Sequence, residues 1–289
     1  MQQSPSKIFR EAIKNNKPLQ ILGVINAYCA LLAERVGTKA LYLSGAGVAN
    51  ASLGLPDLAM ATRSEVLSDL RRITNVTSLP ILVDIDTGFG HPLNIAQTIK
   101  SMNRAGAAAV HIEDQIEAKR CGHRRGKHCV PTQKMVERIQ AAVDAKVDPD
   151  FIIMARTDAI ASEGINAAVD RACAYVEAGA DMIFAEAVTE LSHYQQFVAA
   201  TQVPILANCT EFGKTPLFTL KQFSQAGVDM VLYPLTAFRT MSFAAEKTYA
   251  TILQQGTQQS LLDNMQTREQ LYDLLHYAEA EAMLDQYLN

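Results

Sequence analysis

The sequence lacks the features that would place it in a membrane or outside the cell. It has no apolar run that approaches a membrane span, and residues 1–17 carry lysines without the apolar core of a secretory signal. Its five cysteines are scattered and form no Cys-x-x-Cys pair. That spacing does not fit a disulfide or zinc framework. These absences predict reduced thiols, a cytoplasmic location and no membrane partner.

The chain also lacks a large excess of charge of either sign. The 26 Lys and Arg residues against 30 Asp and Glu give a net charge of -4, which does not suit a nucleic-acid binder. One short stretch reverses this balance and would suit a small anionic ligand; it contains Arg120, His123, Arg124, Arg125, Lys127 and His128. No linker rich in Pro, Gly or Ser divides the chain, so residues 1–289 are predicted to form a single domain.

Short apolar runs alternate with longer amphipathic stretches, as in βα units around a parallel sheet. Strands are predicted at 21–25, 40–44, 81–84, 109–113, 151–156, 182–186, 205–208 and 230–233. Helices are predicted at 27–36, 62–74, 94–105, 132–145, 165–178, 191–199, 219–225 and 237–254. Eight such units predict a (β/α)8 barrel. Leucines after Gly256 predict a helical tail, about 256–289, that packs on the barrel or on another subunit.

Polar residues stand where the apolar strands stop. They are Ser44, Asp84 with Asp86, Glu113, Arg156, Glu186 and Asn208. Each alone would pass for a helix cap or a solvated loop residue. In a barrel of this class, however, all the carboxyl ends of the strands meet at one mouth, where the chemistry is placed. The pattern therefore predicts a pocket with three or more carboxylates, one arginine and one amide.

A reactive thiol is predicted in the stretch Lys119-Arg120-Cys121-Gly122-His123. The surrounding cations favour the thiolate, and the glycine allows the backbone to bend, as in a mobile loop. A solvated basic loop is the alternative.

The acids Asp84, Asp86 and Glu113 form an all-oxygen set that suits magnesium. The alternatives are a local turn at Asp86 and a salt bridge for Asp84. Arg156 suits a substrate carboxylate, or an ion pair with Asp158 or Glu186. His111 is predicted to be a core histidine bonded to a backbone carbonyl.

The stretch at 119–123 resembles the Lys-[Lys/Arg]-Cys-Gly-His signature of the isocitrate lyase and phosphoenolpyruvate mutase superfamily. Further segments resemble it in the same order across the chain, among them Gly54-Leu55-Pro56-Asp57, Asp84-Ile85-Asp86-Thr87-Gly88-Phe89-Gly90 and Asn208-Cys209-Thr210-Glu211. The resemblance implies a magnesium-dependent (β/α)8 barrel, a homotetramer with its last helix exchanged between subunits, and a small tricarboxylate substrate. It is greatest to the members that cleave 2-methylisocitrate to pyruvate and succinate in the methylcitrate cycle of propionate breakdown.

The resemblance also implies roles for individual residues. Asp84, Asp86 and Glu113 would hold or support Mg2+, and Asp57 would support the site from behind them. Cys121 would protonate the product carbon with help from Lys119 and His123, and Tyr42 or Glu186 would be the base. Substrate contacts would come from Ser44, Gly45, Ala46, Cys121, Gly122, Arg156, Glu186, Asn208, Cys209, Thr210, Arg239 and Arg268. Phe184 and Leu232 would leave room for the methyl group. Ala46 departs from the family, which usually has glycine there.

Other activities stay open. Isocitrate lyase activity is opposed by chain length, because isocitrate lyases are longer. It is also opposed by Phe184 and Leu232, which would leave room for the methyl group. Oxaloacetate decarboxylases or hydrolases and phosphonomutases of the same superfamily generally lack the full loop signature. A non-catalytic binding barrel would not need acids, arginine and thiol together.

Overall fold

The barrel is closed by eight parallel strands. The computed structural model describes residues 3–124 and 126–288, so Arg125 of the basic stretch lies outside the described residues. Each strand pairs with the next, and the last pairs with the first. The strands are β1 (Leu19–Gly23), β2 (Leu41–Leu43), β3 (Ile81–Asp84), β4 (Ala109–Glu113), β5 (Ile152–Thr157), β6 (Met182–Ala185), β7 (Ile205–Asn208) and β8 (Met230–Tyr233). The predicted (β/α)8 class is confirmed, and β3, β4, β7 and β8 have the predicted bounds.

The helices are α1 (Pro5–Asn15), α2 (Ala27–Arg35), α3 (Gly45–Gly47), α4 (Arg63–Thr74), α5 (Pro92–Arg104), α6 (Thr132–Asp144), α7 (Ile160–Glu163), α8 (Ile165–Glu177), α9 (Leu191–Thr201), α10 (Leu220–Gln225), α11 (Thr236–Gln255), α12 (Arg268–Leu274) and α13 (Tyr277–Leu288). The eight helices predicted with bounds are confirmed within two residues at each end; they are α2, α4, α5, α6, α8, α9, α10 and α11. The short helices α3 and α7 were not predicted. A π-helical turn covers Val48–Ser52, and a 3-10 turn covers Gln259–Asn264. No helix among the described residues is long and apolar enough to cross a bilayer.

The first helix, α1, was not predicted. Its start has a recognisable signal, because Ser4 caps the helix and Pro5 follows at the first position. Phe9 and Ile13 are buried in the same apolar cluster as inward-facing strand residues such as Leu19. The helix therefore helps to fill the inside of the barrel.

Two apolar layers alternate along each strand. On β2, Tyr42 belongs to the inner cluster, whereas Leu41 and Leu43 belong to the outer cluster beneath the helices. This follows from the strand geometry, since successive side chains point to opposite faces. A polar residue that continues the inner alternation at the end of a strand therefore projects into the mouth of the barrel.

The chain divides into two compact units, Met1–Phe238 and Arg239–Asn289. The first contains the barrel. The second contains most of α11 together with α12 and α13, and it exposes large apolar side chains, including Phe243, Leu253 and Tyr287. The prediction of one domain with a tail from about residue 256 stays a prediction.

Candidate active site

The register of the barrel brings the polar strand ends together. Glu113 at the end of β4 lies opposite Arg156 of β5, and Asn208 at the end of β7 lies opposite Leu232 of β8. The predicted set is buried throughout: Ser44, Asp84, Asp86, Glu113, Arg156, Glu186 and Asn208. The mouth therefore holds the carboxylates, the arginine and the amide that the sequence predicts.

Arg156 is the central cation of the mouth. Its Nε lies 2.9 Å from Asp158 Oδ2 and 3.2 Å from Glu113 Oε2, and its Nη2 lies 3.5 Å from Glu186 Oε2. The guanidinium also stacks over Phe184, 5.0 Å from the ring centre. Both ion pairs that were considered for Arg156, with Asp158 and with Glu186, are present.

Asp84 and Asp86 form a tightly coupled pair of carboxylates. The backbone N–H of Asp86 donates to Asp84 Oδ1 at 3.0 Å, so the local turn is built on Asp84 rather than on Asp86. Burial opposes ionisation of Asp84, but His111, Lys119 and Arg156 bring its pKa down to about 2. Burial and the neighbouring charge of Asp84 raise the pKa of Asp86 to about 6.

The acids fit a divalent cation in donor type and in space. A methyl group at Gly45 would lie 3.1 Å from Asp84 Oδ2 and 3.2 Å from Asp86 Oδ1, so the glycine leaves a cradle where the two carboxylates converge. Glu113 Oε1 is buried without a hydrogen-bond partner. No group of three or more His, Cys, Asp or Glu side chains among the described residues is arranged to hold a metal as it stands. Further ligands would have to come from water or substrate, as is usual for magnesium.

Tyr42 and His111 lie beside this pair inside the barrel. The Tyr42 hydroxyl is 2.9 Å from His111 Nε2 and 3.4 Å from Asp84 Oδ2. The prediction of a backbone carbonyl partner for His111 is therefore wrong, since its Nδ1 has no partner and its Nε2 meets a side chain. Burial lowers the pKa of His111 to about 4, and burial together with Asp84 raises the pKa of Tyr42 well above its usual range.

Residues 119–124, here called the lid, reach into the mouth. Lys119 is buried and pairs with two acids: its Nζ bonds to Asp57 and lies 2.9 Å from Asp86 Oδ1. Asp57 contacts the lysine that also pairs with Asp86, and its expected support of the metal acids stays a prediction. The buried acids draw Lys119 toward themselves, so the expected use of its charge at the Cys121 thiol stays a prediction.

Gly122 and His123 seat the lid against the barrel. A methyl group at Gly122 would lie 2.5 Å from Glu186 Cγ and 2.6 Å from Arg156 Nη2, a separation that real side chains do not tolerate. His123 Nε2 is 2.8 Å from Glu186 Oε1. Although burial opposes it, Arg156 and His123 hold the pKa of Glu186 well below its usual range. Cys121, half-buried, is thereby carried to the rim of the mouth.

Known proteins similar to this chain show the family to which the barrel and its lid belong. The model of the family described as phosphoenolpyruvate phosphomutase matches residues 9–253. A 2-methylisocitrate lyase from Escherichia coli (strain K12) is 60% identical over 98% of this chain and 96% of its own length. The chain belongs to the phosphoenolpyruvate phosphomutase family.

Solved structures of the family have the same fold. A 2,3-dimethylmalate lyase, described as a PEP mutase/isocitrate lyase superfamily member, is 31% identical, with a TM-score of 0.91 over 99% of this chain and 96% of that one. A phosphonopyruvate hydrolase, solved in complex with oxalate and Mg++, is 27% identical, with a TM-score of 0.87 over 99% of this chain and 100% of that one. The family thus includes different chemistries on one barrel, so the site residues must distinguish them.

The remaining residues carried over from the family lie in different places. Phe184 and Leu232 are buried in the inner cluster. Ala46 lies on the short helix α3, and Thr210 is buried just beyond β7. Cys209, between Asn208 and Thr210, packs in the outer cluster, which disfavours contact of its side chain with substrate. Arg239 and Arg268 belong to the second unit, and their contacts with substrate stay predictions.

Sequence reasoning missed a buried network behind Arg156. Lys127 was counted with the basic ligand-binding stretch, but it is buried and its Nζ lies 2.7 Å from Asp158 Oδ1. The backbone N–H of Asp158 in turn donates to Asp114 Oδ1 at 2.9 Å. Asp114 also accepts hydrogen bonds from Thr157 and Tyr175. A Lys and an Asp that are 31 residues apart give no local signal of their pairing.

Substitution of Gly122 by alanine tests whether the lid must seat this closely. Its backbone is outside the left-handed region, so alanine causes no conformational strain, and the nearest atoms to its methyl group belong to Glu186 and Arg156. We expect Gly122→Ala to lower kcat/KM roughly 100-fold, because displacement of catalytic groups by about 1 Å has effects of that size. The melting temperature should stay unchanged. Lys134→Ala, an exposed residue of α6, is the control, and wild-type kinetics in Gly122→Ala would contradict the seating described here.

Proposed function

We propose that this chain is a carbon–carbon lyase that cleaves 2-methylisocitrate to pyruvate and succinate in the methylcitrate cycle of propionate breakdown. The observation that carries the proposal is the lid: Gly122 packs against Arg156 and Glu186, so Cys121 is held at the rim of a mouth lined with acids and one arginine. The 2-methylisocitrate lyase relative at 60% identity supports the choice of substrate.

The site suits a substrate with several carboxylates. Arg156 offers a planar guanidinium to one of them, and Asn208 and Thr210 carry amide and hydroxyl donors at the end of β7, two strands away. We assign the methyl group to the apolar surface of Phe184 and Leu232, which are buried in the inner cluster. Isocitrate has hydrogen at this position and would leave that surface unfilled.

The proposed cleavage moves two protons. A base takes the proton of the substrate hydroxyl, the bond between C2 and C3 breaks, and the C2 fragment becomes pyruvate. The electron pair of that bond stays on C3 and is delocalised into the adjacent carboxylate, where Arg156 would stabilise the charge. The Cys121 thiol then gives its proton to C3, which completes succinate. The closed lid keeps water from the carbanion before this step.

The two candidate bases differ in charge state. Arg156 and His123 hold the pKa of Glu186 well below its usual range in spite of burial, so Glu186 is ionised but is a weak base while those contacts are in place. Burial and Asp84 keep Tyr42 protonated at neutral pH. We therefore assign Tyr42 to orienting the substrate hydroxyl through its own hydroxyl group.

Magnesium belongs to the same proposal. Asp84 and Asp86 would hold it beside the cradle at Gly45, with Glu113 in support. When bound, the ion would neutralise substrate oxygens and make the hydroxyl more acidic. Lys119 would remain close to Asp86 as part of the closed lid.

A cytoplasmic homotetramer completes the proposal. The second unit exposes apolar side chains on its helices, among them Phe243, Leu253 and Tyr287. Apolar surface of this kind is typical of a protein interface. Exchange of the last helix between subunits would cover it.

The substrate is tested by pyruvate release from 2-methylisocitrate, with glyoxylate release from isocitrate measured in parallel. We expect fast pyruvate release, little glyoxylate, and loss of both signals in excess chelator, with recovery on addition of Mg2+. Failure on both substrates with folded, magnesium-loaded protein would overturn the proposal. Oxaloacetate and phosphonopyruvate would then be the next substrates to measure.

The proton donor is tested by Cys121→Ser. A serine hydroxyl is a much weaker acid than a thiol, so we expect kcat to fall by about 1,000-fold, within the range that general acid catalysis contributes. Substrate affinity should change little, because the side chain keeps its size. Affinity is measured by calorimetry with the slow variant. Turnover within a few-fold of wild type would remove Cys121 from the chemistry.

A further inference from the structure

The loop between β7 and α10, residues 209–219, contacts His123 of the lid. The backbone N–H of Lys214 donates a hydrogen bond to His123 Nδ1 at 2.9 Å. Because Nδ1 accepts, the proton of neutral His123 is placed on Nε2, which lies 2.8 Å from Glu186 Oε1. One peptide of the β7–α10 loop therefore fixes both the position and the tautomer of a lid histidine.

Gly213, the residue before this N–H, packs directly on the same ring. A methyl group at Gly213 would lie 2.6 Å from His123 Nδ1, 2.9 Å from Cε1 and 3.0 Å from Cγ. These three ring atoms are its nearest neighbours. The glycine thus leaves the space into which the imidazole fits.

The backbone at Gly213 does not itself require glycine. Its φ lies outside the left-handed region, whereas the preceding Phe212 has φ +59°. Alanine at 213 would therefore adopt the same backbone without strain. The closest constraint on this position is therefore the space that the His123 ring occupies.

The loop is anchored independently of the lid. The N–H of Cys209 donates to Leu232 O at 2.8 Å, Thr236 bonds to Glu211, and Phe218 packs edge-on against Phe223 of α10. Since these anchors lie on the barrel, on α10 and at the start of α11, we expect a clash at Gly213 to be relieved by moving the lid rather than the loop.

We propose that Gly213 is a positioning residue for the reaction: the Gly213–Lys214 peptide is the seat that receives His123 and holds the lid closed over the substrate. This inference rests on the proposed lyase function for its kinetic consequence, but the seat itself is independent of which substrate is cleaved. His123 acts on Glu186, and Gly213 acts only through His123.

The test is Gly213→Ala, measured in two ways. The lid contains three trypsin sites, Lys119, Arg120 and Arg124, so we measure its opening as the rate of tryptic cleavage of the native protein at these sites. We expect cleavage to be several-fold faster and kcat/KM for pyruvate release to fall roughly 100-fold, as for other displacements of about 1 Å. The melting temperature should match wild type. Lys221→Ala, an exposed residue of α10, is the control for both measurements.

A double variant separates the seat from a general effect on the loop. In His123→Ala the ring is gone, so the added methyl group has nothing to displace. Tryptic cleavage of His123→Ala and of His123→Ala/Gly213→Ala should therefore be equally fast. Faster cleavage in the double variant, a lower melting temperature of Gly213→Ala, or wild-type behaviour of Gly213→Ala would each overturn the inference. Absence of pyruvate release from the wild type would overturn the lyase proposal alone, since the proteolysis comparison does not depend on it.

Discussion

Pairing of buried carboxylates with cations is the constraint on which the mouth of the barrel depends. An isolated ionised carboxylate that is removed from water costs several kcal/mol unless a cation and hydrogen bonds compensate it. Here Lys119 compensates Asp86, Lys127 compensates Asp158, and Arg156 lies among the acids at the strand ends. Two of these three cations, Lys119 and Lys127, lie in the segment between β4 and α6. The segment that carries the thiol is thus also the one that balances the charge of the site.

This pairing links closure of the lid to catalysis. Lys119 holds the lid by its charge through Asp86, and His123 holds it by the hydrogen bond that its Nε2 makes to the charged Glu186, on the other side of Cys121. When the lid is down it excludes water, so every remaining electrostatic interaction in the mouth is strengthened. Gly122 permits the close approach, because any larger residue would meet Glu186 and Arg156. Position of the thiol, charge balance and exclusion of water therefore depend on the same few contacts.

The features of the fold and of the mouth that were predictable from the sequence each have a local signal. Apolar strands of fixed spacing predicted the barrel, and polar residues at the strand ends predicted the acids, Arg156 and Asn208 in one mouth. Partners distant in sequence were not predictable. Lys127 lies in a stretch with the composition of a solvated basic loop, and nothing near it in sequence indicates its pairing with Asp158. The seat of His123 is formed by residues 213 and 214, about 90 positions later. The local sequence pattern predicts which face of a strand or helix a residue occupies. The ion pairs between distant residues are defined only by the folded barrel.

Amide hydrogen exchange in Glu186→Gln tests most directly whether charge pairing holds the lid. Glutamine keeps the shape of the side chain but removes the charge that attracts His123 and Arg156. Because a hydrogen bond to a charged group contributes about 1.5–3 kcal/mol, exchange of residues 119–124 in the ligand-free protein should become roughly 10-fold faster or more. Exchange in β7 should stay as in wild type. Unchanged protection of the lid would contradict the account, because the lid would then be held by something other than its charges.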